Sequence, residues 1–265
     1  MQEKAGLSEA LELMKDLRRR CDWDAAQTHE SLRPYLIEEA YEVDDAIRAG
    51  NDTQLREELG DLLLQVLFHS VVAEERHAFD FGDVAEGFLR KMKSRHPHLY
   101  EGGERPNWEE MKARTRASLV DGLPADLPAL HRAFRLQDRA AGVGFDWPDA
   151  AGPAAKVEEE LAEVRAEIAV GAHVSGDGVP HPALEMELGD LLFSAVNLCR
   201  KLGVHPSLAL DRANTKFARR FQDVEVLAKS RGIEVQSAGL EALDELWNET
   251  KRTGGGNGER STGDG

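Results

Sequence analysis

The six residues ELGDLL occur twice in this chain, at 58–63 and at 187–192, and each copy leads into an apolar stretch. A Glu-rich segment precedes each copy, IEEAYEV at 37–43 and EEELAEV at 158–164. Further paired markers keep the same order: KMKSR at 91–95 with KFARR at 216–220, Trp108 and Lys112 with Trp247 and Lys251, and Asp22-Trp23 with Asp146-Trp147. Similarity over so many ordered markers indicates a tandem duplication of one structural unit.

The apolar residues around the repeated segments follow the period of an α-helix. Leu36, Ala40, Val43 and Ile47 step by four, three and four, which places them on one helical face. The next segment, for which Asp52 is the expected N-cap, repeats this spacing at Leu55, Leu59, Leu62 and Val66. Since no sustained period-two alternation occurs, the sequence predicts an all-α fold, with each copy forming a bundle of about four helices.

We place the boundary between the two tandem helical bundle domains in DGLPADLPAL, 121–130, because its two prolines interrupt any helix. The expected N-terminal domain then covers residues 1–120, and the expected C-terminal domain covers residues 121–253. The final stretch, 254–265, is rich in glycine and polar residues and has no apolar side chain to bury, so we expect it to be disordered.

Composition excludes several classes of function. The 265 residues include 49 Asp plus Glu against 33 Lys plus Arg, a formal net charge of -16, which disfavours a broad nucleic-acid-binding surface. The sequence contains no run of 18 apolar residues, so it predicts no membrane span. The first 20 residues lack an apolar signal core and the chain has only two cysteines, so we expect a reduced, cytoplasmic protein.

The acidic residues of the first copy have a spacing that brings carboxylates together. Glu39 and Glu42 lie three apart on one helical face, and Glu58 and Asp61 do the same on the next helix. Both pairs border the apolar stripes, so packing of the two helices would gather four carboxylates at the edge of a low-dielectric interior. The second copy repeats the full set: Glu160, Glu163, Glu187 and Asp190.

A cluster of oxygen ligands favours Mg²⁺, Mn²⁺ or Ca²⁺ over zinc, and Mg²⁺ suits a few carboxylates together with water and substrate phosphates. A single acidic pair at helical spacing predicts only a solvated face. The recurrence of the same pattern in one chain favours a functional metal site instead.

Basic and aromatic residues recur at matching positions after the carboxylates. Lys91 with Arg95, and Lys216 with Arg220, lie four apart and are candidates to bind phosphate oxygens. Each of the two tryptophans that follow has a lysine four residues later, at Lys112 and Lys251. Stacking on a nucleobase and anchoring a core are both open readings for these tryptophans.

These motifs resemble the MazG family of nucleoside triphosphate pyrophosphohydrolases, within the all-α NTP pyrophosphatase superfamily. The resemblance covers roughly residues 8–252 and includes five further segments: CDWD at 21–24, QTHESL at 27–32, SRHPH at 94–98, GFDW at 144–147 and NTKFARRF at 214–221. It implies Mg²⁺-dependent hydrolysis of a nucleoside triphosphate to the monophosphate and diphosphate, acting broadly on ribo- and deoxyribonucleotides, by a homodimer.

The resemblance also implies roles for individual residues. The metal ligands would be the eight carboxylates named above, and Glu38 and Glu159 would orient or deprotonate the attacking water. We assign substrate binding to Lys91, Arg95, Trp108, Lys112, Lys156, Lys216, Arg220, Trp247 and Lys251.

Three other functions are alternatives to a broad pyrophosphohydrolase. A nucleotide-sensing module without turnover is disfavoured by the complete ligand sets, and a phosphoribosyl-ATP enzyme by the duplication. A dedicated dUTP or dCTP enzyme would need residues that read the base edge, and the sequence does not identify them. The second copy has a longer connection between Glu163 and Glu187, and we expect it to carry turnover while the first binds nucleotide or turns over slowly.

Overall fold

The computed structural model describes residues 5–100, 102, 118, 120–124, 126–171 and 181–254. The regular secondary structure of these residues is entirely helical, which confirms the all-α prediction. None of their helices is long and apolar enough to cross a membrane. The chain divides into two compact units, Met1–Pro106 and Asn107–Gly265. The domain boundary between residues 120 and 121 stays a prediction.

The first unit contains six described helices. They are α1 (Leu7–Arg20), α2 (Asp22–Ala26), α3 (His29–Ala49), α4 (Asp52–Glu75), α5 (Phe81–Arg95) and α6 (Pro97–Tyr100). The core lies mainly between α1, α3 and α4 and is formed by Met14, Leu32, Leu67, Phe68, Val71 and Val72.

Local sequence defines the α3–α4 hairpin. Thr28 and Ser31 form a reciprocal capping box that begins α3, and Gly50, with φ of 64°, ends it in the left-handed conformation. The Asn51 side chain then accepts hydrogen bonds from the backbone N–H groups of Thr53 and Gln54. Asn51 is therefore the N-cap of α4, and the expectation that Asp52 would cap this helix was wrong by one residue.

The described helices of the second unit are α7 (Ala129–Ala141), α8 (Ala151–Ala169), α9 (Pro182–Lys201), α10 (Pro206–Ser230) and α11 (Gly239–Gly254). Helices α8 and α9 pack closely against each other, and α7 joins α9 through a hydrogen bond of 2.8 Å from Gln137 Nε2 to the Phe193 carbonyl. Helices α10 and α11 bury a separate cluster that includes Val224, Ala228 and Leu246. Gly254 ends α11, and the rest of the predicted tail lies outside the described residues.

Candidate active site

The hairpin of α3 and α4 brings the predicted carboxylates of the first unit together. Glu39, Glu58 and Asp61 each offer an oxygen, and these oxygens all lie within 4.8 Å of one another. Burial and the charge of Asp61 raise the pKa of Glu39, and a hydrogen bond with Glu42 and the charges of Glu42 and Glu58 add to this shift. All four predicted residues thus act on one electrostatic site.

Helices α8 and α9 build the corresponding cluster in the second unit. Oxygens of Glu160, Glu163 and Glu187 lie within 4.8 Å of one another. Glu163 is exposed, and partial loss of hydration, a hydrogen bond with Glu160 and the charges of Glu160 and Glu187 raise its pKa. Asp190, on the next turn of α9, lines the same cavity as Glu160.

Glu160 is only 4% exposed and is held by a basic partner. Lys156 Nζ lies 2.6 Å from a Glu160 carboxylate oxygen and 3.0 Å from one of Glu159, so it bridges two neighbouring acids of α8. These hydrogen bonds raise the pKa of Lys156. The lysine therefore stays protonated and supplies one positive charge to a site with several negative ones.

The donor set of both clusters fits a hard divalent cation. Carboxylate oxygens are the ligands that Mg²⁺ and Mn²⁺ prefer, and a cation would offset the repulsion that raises the pKa values of Glu39 and Glu163. Each predicted water-activating residue directly precedes a cluster residue in the sequence: Glu38 is exposed on α3, and Glu159 is exposed and paired with Lys156. Their role stays a prediction.

A cavity of about 320 Å³ opens beside the cluster of the second unit. Its lining combines the charged residues Lys156, Glu160 and Asp190 with the aromatic Trp147 and Phe193, the apolar Pro153, and the polar Ser194 and Asn197. One side of the cavity thus suits an anion with its counter-cation, and the other suits a flat heterocycle.

The predicted phosphate and nucleoside residues of the second unit gather elsewhere. The guanidinium carbon of Arg220 lies 5.2 Å from the ring centroid of Trp247, and Lys251 Nζ lies 5.8 Å from it. Trp247 also packs on Phe217 and on the buried cluster between α10 and α11. Arg220, Trp247, Lys251 and the exposed Lys216 are not among the residues that line the cavity.

In the first unit, Lys91 is exposed on α5, and Arg95 is a partly buried residue at the end of the same helix. Trp108 and Lys112 lie outside the described residues. The substrate-binding assignments of these residues stay predictions.

Sequence reasoning missed the aromatic and amide side of the cavity. Trp147 belongs to the GFDW segment, which marks the start of the second copy but suggests no contact with α9. Asn197 lies seven residues after Asp190, two helical turns along the same face of α9, and this spacing could have identified it.

Comparison with known proteins gives a consistent result. The sequence model of the family described as "MazG nucleotide pyrophosphohydrolase domain" matches residues 27–100. The chain is 41% identical over 254 residues to an Escherichia coli K12 protein named nucleoside triphosphate pyrophosphohydrolase, covering 91% of this chain and 94% of that protein. It is 42% identical over 262 residues to a Thermotoga maritima protein named nucleoside triphosphate pyrophosphohydrolase/pyrophosphatase MazG, covering 94% and 98%.

Proposed function

Because the chain belongs to the MazG family of nucleoside triphosphate pyrophosphohydrolases, we propose that its acidic clusters bind divalent cations and that the second unit carries most of the turnover. The protein is a hydrolase that acts on the phosphoric anhydride bonds of nucleoside triphosphates. We propose Mg²⁺, with Mn²⁺ as a substitute, and a broad range of ribo- and deoxyribonucleoside triphosphates as substrates.

The proposed reaction converts a nucleoside triphosphate and water to the monophosphate and diphosphate. The water oxygen forms a bond to the α-phosphorus, the bond from that phosphorus to the bridging oxygen breaks, and diphosphate leaves with the bonding electrons. A cation at the clusters would activate water and stabilise the charge that develops on the phosphoryl group.

The chain's own residues have distinct parts in this proposal. The ligands are Glu39, Glu42, Glu58 and Asp61 in the first unit, and Glu160, Glu163, Glu187 and Asp190 in the second. Glu38 and Glu159 orient the water and accept its proton. Lys156, which forms an ion pair with Glu160, binds a phosphate oxygen in this proposal.

The convergence of three carboxylate oxygens within 4.8 Å in each unit is the observation that carries this proposal. Such a group of acids needs a counter-cation, and the nucleoside triphosphate is a substrate whose phosphates complete the coordination of Mg²⁺. The cavity beside the second cluster favours the second unit as the main site.

Apolar stripes support a homodimer. Leu59 and Leu63 in α4, and their repeat equivalents Leu188 and Leu192 in α9, are all exposed. A second copy of the chain would cover such faces. We propose the cytoplasm as the compartment because nucleoside triphosphates are abundant there.

Replacing one proposed metal ligand of each unit with glutamine tests which unit turns over substrate. We expect Glu163→Gln to lower the kcat/KM for pyrophosphate release by roughly 100-fold or more, and Glu42→Gln to lower it by less than about 3-fold. Release of pyrophosphate and monophosphate with Mg²⁺ is measured over a panel of eight ribo- and deoxyribonucleoside triphosphates.

Glu225→Gln on α10 and Glu86→Gln on α5 are matched controls, because both neutralise an exposed acid away from the clusters. Equal losses in the two ligand variants would contradict the assignment of turnover to the second unit. Tight nucleotide binding without pyrophosphate release would instead identify a sensing module.

A further inference from the structure

The acidic cluster of the first unit, here the first cluster, differs from the second in the residue one helical turn before it. The Glu pairs of the two copies are 121 residues apart, so Tyr35 of α3 stands at the position that Lys156 has in α8. Each lies four residues before a cluster glutamate, Glu39 or Glu160, and shares its helical face. A phenol forms hydrogen bonds but has no positive charge, so the first cluster lacks the charge that Lys156 gives the second.

No other lysine or arginine of the α3–α4 hairpin replaces that charge. The arginines of the two helices pair with acids outside the cluster: Arg33 with Glu30, Arg48 with Asp44, and Arg56 with Glu57. Within the described part of the chain, the four carboxylates of the first cluster form no ion pair with a lysine or an arginine. The counter-charge available to them is therefore an ion from solution.

A buried amide oxygen lies one turn beyond the carboxylates of α4. Gln65 follows Asp61 by four residues, and helical side chains lean towards the N-terminus of their helix, here towards the turn of Asp61. Gln65 is 4% exposed, and its Oε1 has no hydrogen-bond partner among the described residues. Its equivalent at the 129-residue offset of the ELGDLL segments is Ser194, which lines the cavity beside the second cluster. Such an oxygen can bind a cation or accept a hydrogen bond from a metal-bound water.

An ion in the first cluster would join the two helices of the hairpin. Glu39 belongs to α3, whereas Glu58 and Asp61 belong to α4, and oxygens of all three lie within 4.8 Å of one another. Their like charges repel across the hairpin when no cation is bound. Occupancy by a cation therefore stabilises the folded first unit.

We propose that the first cluster binds a free divalent cation without nucleotide, at least about 10-fold more tightly than the second cluster does, and that Gln65 Oε1 contacts this ion or one of its waters. This inference rests on the proposed function, which assigns divalent cations to both clusters. The first unit then contains a resident ion, while the second cluster has Lys156 as its counter-charge.

Counting bound Mn²⁺ in the absence of nucleotide tests the proposal, because the electron paramagnetic resonance signal of the free ion is lost when the ion binds. We expect the full chain, titrated with MnCl2, to bind one ion while the second cluster stays largely empty. Glu58→Gln should weaken this binding roughly 10-fold or more. Glu187→Gln, at the same position of the second ELGDLL segment, should leave it unchanged.

Exchanging the tyrosine and the lysine is the sharper test. Tyr35→Lys places a positive charge beside the first cluster, and we expect its ion to bind about 10-fold or more weakly. Lys156→Tyr removes the charge from the second cluster, and we expect a second Mn²⁺ to bind without nucleotide. Tyr100→Lys on α6 and Lys229→Tyr on α10 make the same exchanges at exposed positions and should not change Mn²⁺ binding.

Gln65→Met tests the amide oxygen, because it nearly keeps the side-chain volume and removes the oxygen. We expect it to weaken binding of the resident ion about 10-fold. Unchanged Mn²⁺ binding in this variant would overturn the role given to Gln65.

Three results would overturn the proposal as a whole: no Mn²⁺ bound without nucleotide, equal affinity at the two clusters, or loss of the resident ion in Glu187→Gln instead of Glu58→Gln. Because no nucleotide is present, these measurements do not depend on turnover. Failure of the parent chain to release pyrophosphate would count against the proposed function alone.

Discussion

The raised pKa of Glu39 shows why a bound cation would stabilise the first acidic cluster. Glu39 lies partly buried on α3, and burial and the charge of Asp61 both raise its pKa. A carboxylate in this position destabilises the metal-free chain at neutral pH, because its charge is less favourable in the folded state than in the unfolded one. Binding of a divalent cation would reverse that effect.

We predict that Glu39→Gln raises the melting temperature in EDTA by roughly 2–5 °C and reduces the further increase that MgCl2 causes in the wild-type chain. Differential scanning calorimetry in EDTA and in MgCl2 measures both. Glu86→Gln, at an exposed position of α5, should change neither value. A Mg²⁺-dependent increase in Glu39→Gln that equals or exceeds that of the wild type would contradict a ligand role.

Individual site residues were predictable to different degrees. Helical spacing identified the carboxylates, because residues three apart share a face whatever the tertiary structure. Trp147 lies in a loop, and contacts distant in sequence, among them the ion pairs of Asp146 with Arg200 and Lys201, join that loop to α9. Such long-range contacts have no local sequence period, so the aromatic side of the cavity could not be predicted in the same way.

At the scale of helices, a pair of imidazole rings joins α3 to α4. The Nδ1 atoms of His29 and His69 lie 2.8 Å apart, so one ring must donate while the other accepts. Burial lowers the pKa of His69, and the charge of His29 lowers it further. The stability that neutral His69 contributes is therefore complete above its ordinary pKa of 6.5 and is lost as the pH falls below that value.

We predict that the free energy of unfolding of the first unit falls between pH 7.5 and pH 5.5, and that His69→Gln makes this decrease smaller. Urea titrations at three pH values measure the effect. His77→Asn replaces an exposed histidine in the left-handed conformation and should keep the wild-type pH dependence. The same pH dependence in His69→Gln and the wild type would exclude the pair as its source.

Helix boundaries followed closely from local chemistry. Glycine after α3 and a capping box before it are signals that act within a few residues. The error at the start of α4 arose because Asn51 and Asp52 are both good caps, and the left-handed Gly50 leaves Asn51 in the extended conformation that an N-cap requires.

At the scale of the whole molecule, the two units expose leucines at equivalent positions. Leu63 is 38% exposed on α4, and its equivalent Leu192 is 61% exposed on α9. A stripe at this spacing buries apolar area only against another helical face, and a homodimer would supply one.

We predict that Leu63→Glu and Leu192→Glu each weaken the proposed dimer at least 10-fold, because a charge placed in an apolar interface loses its hydration. Sedimentation velocity over a range of concentrations measures the dissociation constant. Val226→Glu, which replaces an exposed apolar residue of α10, is the control that should leave the dimer intact. A wild-type chain that is monomeric at micromolar concentration would refute the dimer.

The contact between Lys156 and Glu160 links two events that would otherwise be independent. A cation that enters the second cluster competes with the lysine ammonium for the Glu160 carboxylate, 2.6 Å away. The displaced ammonium is then available to a phosphate, so each partner's arrival removes an obstacle to the other. Thermodynamic reciprocity makes the two affinities rise together, and the enzyme would hold its ion loosely until a nucleotide comes with it.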